Sequence, residues 1–94
     1  MIDLNLLGFI NSRDFKTRQE WLEAVDDQAA AAERVIKRGR NSRNDLDRER
    51  VSYALDFLEA AKAVLYWLRH NQYPDTRHGE VKPAIQHIQS CLEA

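Results

Sequence analysis

The sequence predicts an all-α fold: an antiparallel hairpin of two long helices, a C-terminal helix and a short N-terminal segment, in one domain over residues 1–94. Three observations carry this. Apolar residues keep a 3,4,3,4 spacing through two stretches, near 17–38 and 45–72, and that spacing lays them along one helix face. Gly39, Asn41, Ser42 and Asn44 separate the stretches with turn and cap chemistry, so a short loop joins two antiparallel neighbours. A third periodic stretch follows Pro74 and Pro83.

Residues 2–10 fit two patterns. Ile2, Leu4 and Leu6 alternate as in a strand, while Ile2, Leu6, Phe9 and Ile10 fit a short helix. An isolated strand has no sheet to join here, which favours a short helix or an extended arm. Thr17 and Glu20 form the T-x-x-E pattern of a capping box and place the start of the first long helix. Its row Leu22, Val25, Ala29, Ala32 and Ile36 is flanked by Trp21, Ala24, Ala31 and Val35, a face wide enough for two neighbours. The alanines at 29–32 allow a close helix approach. Gly39 is expected as a left-handed residue just past the helix end.

The second long helix carries Val51, Ala54, Leu58, Ala61, Leu65 and Leu68 in register, with Ser52, Asp56 and Glu59 on its wet side. That wet side ends after Lys62, where Ala63–Leu68 is apolar all round and must be enclosed. The third helix and the N-terminal arm can enclose it, and so can another copy of the chain. Pro74 ends this helix, and Pro83 suits the first turn of a third over about 82–93, with Ala84, Ile85, Ile88, Cys91 and Leu92 on one side.

Composition narrows the function classes. Fourteen basic residues face 15 acidic ones, so no global field draws the chain to duplex nucleic acid or anionic lipid. The single cysteine, Cys91, excludes an internal disulfide framework and fits a reducing compartment. The apolar run Ala63–Leu68 is too short to span a bilayer. MIDLNLLGFI lacks the basic residues of a secretory signal. The expectation is a soluble, cytoplasmic protein with no cofactor. Because a small domain leaves much of its surface exposed, homo-oligomerisation is expected as well.

Two basic sites stand out. Lys37, Arg38, Arg40 and Arg43 sit at the hairpin loop; cations at a helix C-terminus are explained by the macrodipole alone, and no aromatic residue lies within the loop to stack a base. At the opposite end, the hairpin brings Arg13, Lys16 and Arg18 toward Arg69 and His70, together with Phe15, Trp21, Trp67 and Tyr73. Guanidinium groups grip phosphates and aromatic faces stack bases, the mixture a nucleotide pocket requires. The plainer reading makes Trp21 and Trp67 core or interface residues and lays Arg18 along the apolar row with its charge in water. The candidate ligand residues are Arg13, Arg18, Trp67, Arg69, His70 and Tyr73.

Catalytic and metal constellations are missing. His70, His78 and His87 have no usual ligand spacing, Asp56 and Glu59 read as solvated carboxylates, and Cys91 has no evident histidine partner and reads as a buried thiol. No glycine-rich phosphate loop exists among Gly8, Gly39 and Gly79.

The stretch Asp47-Arg48-Glu49-Arg50-Val51-Ser52-Tyr53-Ala54, continuing through Leu58, Ala61 and Leu65, resembles the helical hairpin of phage proteins that sequester cyclic nucleotide immune signals. The resemblance covers the hairpin. It departs from that family's Asp-x-Arg-Trp at Arg50 and from its Gln-x-Gly at Glu59-Ala60-Ala61, and it carries no binding residue across. It implies an oligomeric, non-enzymatic protein acting by stoichiometric binding, in anti-defence. The alternative is a helical inhibitor, immunity protein or adaptor that blocks a protein partner such as a CRISPR or toxin complex.

Overall fold

A computed structural model describes residues 4–93, and within them the chain forms four helices and no strand. They are α1 (Leu6–Asn11), α2 (Arg18–Arg40), α3 (Asp45–His70) and α4 (Val81–Glu93). Ile2, part of the ambiguous N-terminal pattern, lies outside the described residues. Leu6, Phe9 and Ile10 resolve that pattern as helix, and all three are buried.

α2 and α3 form the expected antiparallel hairpin. Thr17 caps α2 by accepting the Glu20 amide at 3.2 Å, and its hydroxyl donates to Glu20 Oε1 at 2.9 Å. The two side chains thus bond each other, where a full capping box would turn Glu20 back onto the backbone. Ala29 and Ala32 are buried on the hairpin helix α2, and the facing helix brings Leu58 and Leu65 beside Ala29.

Gly39 corrects the sequence expectation. It lies inside α2, and no glycine among the described residues has a positive φ. What excludes a side chain there is proximity. A Cβ at Gly39 would run into the Val51 side chain and would sit 2.7 Å from the Asp47 carbonyl oxygen. The left-handed residue is instead Asn71, with φ of 54°, capping α3. α3 therefore ends at His70, ahead of Pro74.

α1 and α4 pack on each other and form a second layer over one side of the hairpin. The segment after Asn71 returns along α3 until His78 meets Asp56 at 2.9 Å. From there α4 runs back toward the open end of the hairpin, where His87 meets the edge of Trp21. At 1.5 Å per residue, α3 is about 39 Å long and α4 about 20 Å, so the loop half of the hairpin projects beyond its cover. The molecule is accordingly 46 Å long and 18 Å thin.

The chain encloses the all-apolar segment of α3 by itself except at Tyr66, which is exposed. Ala63, Val64, Leu65, Trp67 and Leu68 are buried, and Trp67, at 4% exposure, is core. Trp21 is fully buried and donates its indole N–H to the Phe15 carbonyl at 2.9 Å. No helix is long and apolar enough to cross a membrane among the described residues.

Candidate functional site

The open end of the hairpin uses its cations internally. Arg18 donates from Nη1 to the Trp67 and Leu68 carbonyls, each at 3.3 Å, and from Nη2 to Asn71 Oδ1 at 2.7 Å. Its guanidinium lies 4.4 Å from the Trp67 ring centroid. Carbonyls at a helix C-terminus run short of intrahelical donors; the Trp67 carbonyl accepts the Asn71 amide at 2.9 Å, and Arg18 adds a donor there and at Leu68. Arg13 likewise donates to the Phe9 carbonyl at 3.1 Å and covers the Phe9 ring. Arg69 points to the other side of the hairpin, 3.6 Å from Asp26; both are exposed, so the pair is worth about 0–1 kcal/mol.

Of the six candidate ligand residues, the structure brings Arg18 and the buried Trp67 into contact, and sets the exposed His70 and Tyr73 each beside Tyr66. The His70 and Tyr66 rings are 4.7 Å apart. Tyr66 and Tyr73 line a cleft of about 570 Å³ with Ala63, Pro74, Thr76, Lys62, Glu59 and Asp75. The carboxylates in this cleft oppose a phosphate. Arg13 and Arg18 are committed elsewhere, Arg69 faces away, and Trp67 offers no free ring.

The hairpin tip is the opposite case. Lys37, Arg38, Arg40, Arg43, Arg48 and Arg50 are exposed, and none has a side-chain hydrogen bond or ion pair among the described residues. Both helix ends here are capped by other groups. Asn41 donates from its side chain to the Lys37 carbonyl, and Asn44 accepts the Leu46 amide at 2.9 Å. Ser42 donates to Asp47 Oδ2 at 2.9 Å and fixes the turn. The guanidinium groups stay free because nothing local needs them.

Apolar side chains stand among these cations. Leu46 is 66% exposed, Tyr53 57% and Leu55 46%. Leu55 joins Ile36 and Leu58 as the floor of a cleft of about 410 Å³, rimmed by Lys37, Arg40, Asn41 and Glu33. The sequence reading found four cations of this cluster and missed Arg48, Arg50, Leu46 and Tyr53. Their signal was the hairpin itself, which lays the start of α3 beside the end of α2.

Asp56, Glu59 and His78 bring their ligand atoms within 4.8 Å of one another, but the histidine tautomer is wrong for a metal. The Glu80 amide donates to His78 Nδ1 at 3.2 Å, so the ring proton is on Nε2, which donates to Asp56. A metal-bound histidine has the reverse arrangement, one bare nitrogen on the ion and the other donating. The contact fastens the segment before α4 to α3.

Cys91 does have a histidine nearby, which corrects the sequence reading: His87, one helical turn earlier, places Nε2 at 3.5 Å from Sγ. That nitrogen is 2.8 Å from the Arg13 carbonyl. A carbonyl only accepts, so Nε2 carries the proton and is no base for the thiol. Cys91 is buried.

No family model, curated protein or solved structure matches the chain.

Proposed function

We propose that the chain is a non-enzymatic binding protein of the helical inhibitor or adaptor kind, and that the projecting hairpin tip is its docking surface for a protein with an acidic rim around an apolar centre. The observation behind this reading is the free cationic tip with Leu46, Tyr53 and Leu55 exposed among its arginines. Tyrosine and arginine around an apolar anchor are the composition of interface hot spots. Asp45, Asp47 and Glu49 within the same tip disfavour a phosphate backbone, and exposed leucines have no role against one. Screening over about 8 Å at physiological salt keeps the tip's field independent of acidic residues farther down the hairpin.

The sequestering of a cyclic nucleotide stands second. Its support is the pair of stacking faces, Tyr66 and Tyr73, beside Lys62; the carboxylates of Glu59 and Asp75 in that cleft count against it.

The test is capture of a protein partner with nuclease-treated material, comparing wild type with Leu46→Asp, Arg43→Glu and Arg69→Ala, alongside native mass spectrometry with cyclic di- and trinucleotides. A stoichiometric protein complex that Leu46→Asp and Arg43→Glu abolish and Arg69→Ala spares supports the tip. Uptake of a nucleotide mass, or a complex indifferent to both tip changes, refutes it.

A further inference from the structure

The tyrosine cleft has the chemistry that the tip demands of a partner. Its walls are Tyr66, Tyr73, Ala63 and Pro74, and its rim carries Glu59 and Asp75 against the single cation Lys62. Both tyrosine rings are substantially exposed although they flank a buried core. The Tyr66 hydroxyl is held by Gln72 Oε1 at 3.1 Å and its ring meets His70 at 4.7 Å, which together fix a ring that still lines the cleft. Asp56 stands close to Glu59, within the same 4.8 Å cluster, and adds negative charge on the α3 side.

A metal does not fit that negative charge, because His78 already donates its Nε2 proton into it. A guanidinium does fit. It is a donor-only group with five N–H bonds, it stays charged at every accessible pH, and its flat face stacks on tyrosine. Carboxylates are acceptor-only, so Glu59 and Asp75 can each accept from it, and together they outnumber Lys62.

We propose that this cleft receives the arginine-bearing hairpin tip of a second copy of the chain, in a head-to-tail self-association. The inference rests on the reading of the tip as a docking surface for an acidic face with an apolar centre, and adds that the chain itself carries such a face. Two facts select this occupant. The tip projects beyond α1 and α4, so it is free to enter a neighbour, and its arginines are unpartnered in its own chain. Tip and cleft are different surfaces, so the contact is heterologous and propagates into a ring or an open chain. A tip engaged in this way is withheld from any other partner, and self-association becomes a concentration-dependent mask on the docking surface.

The experiment is sedimentation velocity of the intact chain at low salt, up to about 1 mM, since a contact this small is at the weak end of interface sizes. Wild type is expected to sediment faster as concentration rises, and to return to the monomer near 1 M salt, where screening acts within about 3 Å. The tip variant Arg43→Glu/Arg50→Glu and the cleft variant Glu59→Lys/Asp75→Lys are each expected to stay monomeric, as is Tyr73→Ala. Mixing the two charge-reversed variants is expected to restore association, because each then offers the other a complementary surface. All these positions are exposed, and helical circular dichroism checks the folding of every variant. Monomeric wild type at the highest concentration overturns the inference, as does association that survives Tyr73→Ala or a mixture that stays monomeric. Loss of partner capture in the tip variant, with no self-association in wild type, leaves the proposed function standing and removes only the cleft.

Discussion

Replacing Gly39 by alanine separates two accounts of why glycine is there. In a helix interior the change by itself is favourable by about 0.5–1 kcal/mol, because alanine loses less backbone entropy on folding. The structure opposes that gain with two overlaps, one with the Val51 side chain and one with the Asp47 carbonyl oxygen, 2.7 Å from the new Cβ. A side chain can turn aside, but the backbone of α3 cannot move without parting the helices at the loop. Inserting atoms into such a site costs about 1–3 kcal/mol, so the net expectation is a loss of about 1 kcal/mol, a fall in Tm of about 4–8 °C for a chain of this size. Thermal and urea unfolding of three variants give the answer. Gly79→Ala, with nothing within 4 Å of its Cβ, is the control and should gain about 0.4–1 kcal/mol. Gly39→Asn discriminates the accounts, since asparagine tolerates a left-handed backbone but adds more bulk than alanine. It should be worse than Gly39→Ala. A stabilised Gly39→Ala, or Gly39→Asn close to wild type, refutes the close-approach argument.

Other consequences follow from the same geometry. Asn71→Ala should lose up to about 1–2 kcal/mol, because at φ of 54° alanine has neither glycine's freedom from a Cβ nor asparagine's local side-chain hydrogen bonding, whereas Asn71→Gly should remain near wild type by thermal melting; equal losses would show that the Arg18 bond dominates. Trp21→Ala should cost about 3–5 kcal/mol and Tyr73→Ala less than about 0.5 kcal/mol in urea titrations, and a large Tyr73→Ala loss would place that ring in the core. Zinc or a chelator should leave Tm unchanged, and a zinc-dependent rise that His78→Ala removes would overturn the tautomer assigned to His78.

Periodicity made the helices legible because each long helix buries one face in its own chain. Leu22, Val25, Ala29, Ala32 and Ile36 on α2, and Val51, Ala54, Leu58, Ala61, Leu65 and Leu68 on α3, are the positions that the spacing selects, and all but the half-buried Leu22 and Val51 are buried. The all-apolar run after Lys62 is enclosed as its pattern predicts except at Tyr66, which stays exposed, and what encloses it was not legible. Helix spacing states that a face needs a neighbour; it does not say which one. Gly39 was misread for a related reason: a glycine at a helix end has two uses, left-handed φ and close approach, and local sequence is the same for both. The Cys91–His87 pair was legible in principle from its four-residue spacing on one helix, whereas the bond to the Arg13 carbonyl that makes it inert is a tertiary fact.

The site reading placed arginine, tryptophan and tyrosine at the correct end of the hairpin but gave them the wrong work. Arginine beside a helix C-terminus meets the acceptors of the last turn and the cap, and Arg18 donates to the Trp67 and Leu68 carbonyls and to Asn71 Oδ1. Withdrawing it for a phosphate would take that donor from the Leu68 carbonyl and Asn71 Oδ1, while the Trp67 carbonyl keeps the Asn71 amide. At the tip that competition is absent. Asn41, Ser42 and Asn44 satisfy the helix ends and the turn with neutral side chains, so the surrounding arginines hold no structural post and their positive charge faces outward. A cation cluster therefore points to a partner when the backbone near it is already satisfied by something else. By that criterion the tip, and not the tryptophan end, is the surface we propose for docking.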